Sequence, residues 1–130
     1  MGIKYFEAPD IEEIAKEMVA LLGWRHIHLE DVAFVRSFGS TARYTIARCH
    51  SLGRAMQVGM KRKRGFYLIE VISEKFDKLP DDEKKKVILH ELMHIPKSFG
   101  GGFVHHNKVH DKAIDKIYQR YLKIKDNKWF

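Results

Sequence analysis

The chain is nearly devoid of cysteine. Cys49 is its only one among 130 residues, so no intramolecular disulfide can close, and a lone thiol fits a reducing compartment. Long hydrophobic runs are missing as well. None approaches the roughly 20 residues of a membrane span, and the opening MGIKYFEAPD has no apolar segment of the signal-peptide kind. A cytoplasmic protein without a membrane anchor is expected. Repeats, low-complexity tracts and linkers are absent too, so one domain over 1–130 is expected, long enough to bury a core without staples. Acidic residues are in deficit: 24 Lys and Arg against 17 Asp and Glu give a formal charge of +7. Such a balance permits nucleic acid as a partner, with Lys61, Arg62, Lys63 and Arg64 as the densest run, although an exposed, solvated turn is the plainer reading.

What is present is a helix–strand alternation of the α+β kind. Asp10 opens a helical pattern with Ile11, Ile14, Met18, Leu21 and Leu22 on one face, and Gly23 closes it. Residues 28–38 read as a strand. Residues 41–60 are ambiguous, with Thr41 to Arg48 a candidate strand. Residues 66–72, aromatic and β-branched after a glycine, give the strongest strand signal and a candidate sheet edge. Pro80-Asp81-Asp82-Glu83 starts a helix predicted to run to about Ile95, since Pro96 disfavours helical geometry in the residue before it. Val87, Ile88, Leu89, Leu92, Met93 and Ile95 surround that helix, which predicts burial. A glycine-rich loop, Gly100 to Gly102, follows. A last helix is predicted from about 107 to 125, with His110, Ile114, Ile117 and Tyr121 on its inward face.

The central helix carries His90-Glu91-Leu92-Met93-His94. Histidines four apart on a helix project from one face and can grip one ion. Glu91, on a neighbouring line, is placed to take a proton from a metal-activated water, which is the work of a general base. Zn²⁺ is the expected cofactor, and a catalytic zinc needs a third protein ligand. No glutamate occurs after Glu91, which removes a downstream Glu. Gly100 stands where the HExxHxxGxxH pattern requires histidine. The candidates for the third ligand are His110 and His106, with His105 and Asp111 behind them. Tyr118 and Tyr121 are conceivable oxyanion donors, though core packing is the plainer role.

The runs Phe34 to Ser40, Tyr67 to Asp77 and His90 to Phe99, the last reading HELMHIPKSF, resemble a metallopeptidase family of archaea and phages. The resemblance covers about residues 10–121, in a layout similar to SprT-like and WLM zincins. It implies a zincin-like α+β fold: a small mixed or antiparallel sheet packed on a buried HExxH helix, with flanking N- and C-terminal helices. It also implies peptide or protein substrates. His110-Asp111-Lys112-Ala113-Ile114 is similar to the family's short motif around its third histidine, with Ile for Phe, whereas aligning the glycine loop through His105 selects His106. The rival readings are a metal-dependent nuclease and a DNA-associated domain with a structural metal.

Overall fold

Helix α1 (Pro9–Leu22) forms where the spacing predicts it, and each end has a local cause. Pro9 occupies the first turn, where no N–H is needed. Asp10 and Glu12 meet the positive end of the dipole, and Gly23, at φ 67°, turns the chain out of the helix. Ile11, Ala15, Met18 and Leu22 line the buried face. The computed structural model describes residues 2–105 and 109–127. Ahead of α1 lies a strand that periodicity does not show, β1 (Lys4–Glu7), exposed along its whole length. It exists because it pairs antiparallel with β2 (Val32–Phe38).

The strand predicted from residue 28 starts at Val32, after a 3₁₀ turn over Leu29–Asp31. Asp31 is held there by Arg62 at 2.6 Å and by Arg64 at 2.6 Å, so its side chain answers to a distant basic turn and not to the strand pattern. The ambiguous stretch resolves into β3 (Ala47–Ser51) and the short α2 (Arg54–Gly59). β4 (Tyr67–Ile72) completes a sheet of order β1-β2-β4-β3, in which β2 and β4 run parallel and the other pairs antiparallel. β4 is thus not the edge that its composition suggested. Both its sides are hydrogen-bonded, Ile69 lying opposite Phe34 on one side and Cys49 on the other. That explains its near-continuous apolar run.

Tyr67, Ile69 and Val71 of β4 share a core with Val32 and Phe34 of β2, and with residues of the helices. Glu70, on the opposite face of the strand, is 2% exposed. It accepts hydrogen bonds from Ser37 Oγ at 2.5 Å and His50 Nε2 at 2.8 Å. Burial pushes its carboxyl up, but those two bonds, with Arg48 nearby, outweigh burial and hold it below the usual carboxylate range.

After α3 (Ser73–Phe76), helix α4 (Asp81–Met93) carries three acids in its first turn and buries Ile88, Leu89, Glu91 and Leu92. It ends two residues earlier than predicted. His94 is the capping residue, and the Ile95 N–H bonds the Leu92 carbonyl at 3.1 Å, so the last turn tightens to 3₁₀ spacing ahead of Pro96. Helix α5 (Asp111–Asn127) starts later than the predicted 107 and packs Ile114, Tyr118 and Tyr121 against α1 and α4. The protein is therefore α+β, with a four-stranded mixed sheet and five α-helices among the described residues. None of those helices is long and apolar enough to cross a membrane.

Candidate metal centre

The HExxH residues sit where α4 meets the outer strand β3. Helical spacing brings the His90 and His94 rings to 4.9 Å between centroids, tilted by 57°. The two rings and Glu91 face a cleft with two arms. One arm, of about 510 Å³, is lined by Tyr44 to Ala47, Glu83, Lys86, Val87, Asp111, Ile114 and Asp115. The other, of about 530 Å³, is lined by Arg48, Cys49, Phe103, Val104, His105 and His94. His90, Glu91, Thr45 and Ala47 belong to both, so the motif lies at the join. Arms of this size suit a ligand with several side chains.

His94 is oriented from two directions. Its Nδ1 lies 2.7 Å from the Val104 carbonyl, and its own backbone carbonyl accepts the Val104 N–H at 2.8 Å. Donation from Nδ1 to that carbonyl makes Nε2 the nitrogen carrying the lone pair, the tautomer a metal ligand needs. Glu91 is 7% exposed. Among the described residues its carboxylate has no hydrogen-bond partner, and burial pushes it up to about 7. Two imidazoles and a buried carboxylate aimed into one cleft are costly to desolvate, and a cation bound between them would offset that cost. The donor chemistry fits a divalent metal.

The other sequence candidates separate. His105 lines the second arm and Asp111 the first. His110 lines neither. It stands just ahead of α5, exposed instead of turned inward, with Nδ1 accepting the Ala113 N–H at 3.3 Å. The reason is the later start of the helix, which makes residue 110 a cap and not a first-turn residue. His106 lies outside the described residues. Among the described residues, no three His, Cys, Asp or Glu side chains come close enough to hold a metal ion.

Tyr118 and Tyr121 are core residues: their hydroxyls donate to Asp82 and Glu17, and burial, reinforced by those carboxylates, pushes both phenols up. The basic turn lines neither arm, and Arg62 and Arg64 are already paired with Asp31. Cys49 sits in the second arm, its thiol pushed up to about 12 by burial and by the Glu91 carboxylate, which favours the protonated thiol.

The glycine loop is a fixed support. The Tyr67 hydroxyl accepts the Gly101 N–H and donates to the Gly102 carbonyl, each at 3.1 Å. Ser51 Oγ accepts the Gly102 N–H at 3.1 Å, and the Phe99 carbonyl accepts the Gly65 N–H at 2.8 Å. Gly101 and Gly102, at φ 107° and 80°, occupy backbone regions that side chains disfavour. The loop delivers Val104 to His94. Sequence reasoning missed Val104 because its contribution is a carbonyl, which every residue has. It missed β3 as the cleft wall because that strand shows no clean period.

No curated protein and no solved structure matches the chain. A family model described as "Putative phage metallopeptidase" matches residues 3–125, which runs from β1 to within the last turn of α5 and covers nearly the whole sequence. The chain belongs to the phage metallopeptidase family.

Proposed function

We propose that the protein is a zinc-dependent peptidase of zincin-like layout, with His90 and His94 as metal ligands and Glu91 as general base. The observation that carries this reading is the position of Glu91: nine-tenths buried, without a hydrogen-bond partner among the described residues, and between two histidines at the join of a two-armed cleft. When bound, zinc would polarise the substrate carbonyl and lower the pKa of a water. The chain's own residues do the rest. Val104 fixes the His94 tautomer, and Glu91 holds the proton taken from the attacking water and returns it to the leaving amine. Burial pushes the Glu91 carboxyl up, toward a group able to hold a proton. β3, the outer strand beside the cleft, offers its free edge to an extended peptide. The third ligand is assigned to the segment between His105 and Asp111, both of which line the cleft, with His106 and His110 as its candidates.

Glu91→Gln tests the reading. The variant should keep its zinc, measured by metal analysis, and lose peptide hydrolysis by roughly 10²–10⁴-fold, the usual worth of a general base. Retained zinc with retained hydrolysis would remove Glu91 from the reaction.

A further inference from the structure

We infer that the arm of the cleft between α4 and α5 selects peptides carrying lysine or arginine beside the bond to be cleaved. The inference rests on the peptidase reading above and adds its substrate class. Among the described residues, that arm collects the side chains of Glu83, Asp111 and Asp115 against one ammonium, that of Lys86. Lys86 Nζ lies 3.2 Å from Asp115 and 3.9 Å from Glu83, and its side chain is only 29% exposed, folded onto the Tyr118 ring. Three carboxylates facing one partly covered cation leave negative charge in excess. The chain as a whole carries +7, so an acidic arm runs against its composition.

Helix dipoles account for one acid in the first turn of α4 and one in the first turn of α5. They do not account for Asp115, a turn further on, nor for both helices opening onto the same arm. The second arm is built differently. Among the described residues it has no carboxylate except Glu91, and its walls include Phe103, Val104 and His105. Charge therefore changes along the cleft, with Glu91, nine-tenths buried and aimed into both arms, marking the point where the substrate would be cut. The carboxylates at the rim are more than half exposed, as side chains of Glu83 and Asp115 show at 56% and 60%. Attraction there is screened by salt, and its effect is a preference and not an absolute requirement.

The experiment uses the zinc-supplemented protein and three dye-labelled peptides of one apolar-polar sequence, differing only in a central Lys-Lys, Gln-Gln or Glu-Glu pair. Binding by fluorescence anisotropy and cleavage by mass spectrometry are both read. The Lys-Lys peptide should bind about five- to tenfold tighter than Gln-Gln at low salt, with the gap closing at high salt. The double variant Glu83→Gln/Asp115→Asn should equalise the two, and circular dichroism should show it folded. Should it fail to fold, the salt dependence of the unaltered protein carries the same decision. Cleavage of all three peptides at one rate with equal binding would overturn the inference and leave the peptidase reading standing. Preferential binding of Lys-Lys without cleavage of any peptide would support the acidic arm and overturn the peptidase reading. No binding of any peptide would overturn both.

Discussion

Tyr67→Phe isolates one hydroxyl and asks whether the glycine loop supports the metal centre. The ring is fully buried and meets the Phe99 ring edge-on at 4.9 Å, and phenylalanine keeps that packing. What is lost is one hydrogen bond to the Gly101 N–H and one from the hydroxyl to the Gly102 carbonyl, each 3.1 Å. A net bond of this kind contributes about 0.5–1.5 kcal/mol. Gly102 is exposed, so water replaces its partner, whereas Gly101 is half-buried and less readily resolvated. The expected loss is about 1–2 kcal/mol, read from urea unfolding at neutral pH as a shift in midpoint without a change in slope. The same loss corresponds to a fall in Tm of roughly 4–8 °C for a chain of this size.

The loop also delivers the Val104 carbonyl that orients His94, so zinc affinity should fall about tenfold or more, the usual cost of losing a partner that orients a ligand. Ile11→Val, in the core on α1, serves as the control: it should cost about 0.5–1.5 kcal/mol with unchanged zinc affinity. A Tyr67→Phe variant within 0.3 kcal/mol of the parent would refute the loop's anchoring. Equal zinc affinity in Tyr67→Phe and the parent would refute its link to the site.

Gly65→Ala should destabilise by roughly 1–3 kcal/mol, because its Cβ would stand 3.0 Å from both the Gly101 nitrogen and the Phe99 oxygen, backbone atoms with little room to retreat; thermal unfolding reads it. Glu70, depressed in the fold below its ordinary 4.5, contributes stability that is fully present above pH 4.5 and drains away as pH falls through the folded value. Glu70→Gln should therefore show a flatter stability profile between neutral pH and about pH 3 than the parent, measured by urea unfolding across that range. For the third ligand, His106→Ala should lose zinc under dialysis while His110→Ala keeps it, since His110 is exposed, lines neither arm and caps α5; the reverse result would assign the role to His110.

The sequence alone determined α1, the core of β4, the helix carrying the motif, and the pairing of two histidines with a glutamate on it. Those features depend on spacing within one element: apolar residues recurring at helical intervals, Gly23 and Pro96 as stops, and His90 and His94 four apart on a helical cylinder. Tertiary structure decided everything that depends on two elements meeting. β1 exists only because β2 offers it a partner, and β4 is interior only because β3 returns to cover its other side. The hand that orients His94 is a backbone carbonyl ten residues away, and the acids that line the cleft come from the first turn of α4 and the first two turns of α5. A carbonyl or a helix-capping acid looks alike in any sequence. Its direction is fixed only when the sheet and the helices pack, and that packing turned the five-residue motif into a cleft with two unlike arms.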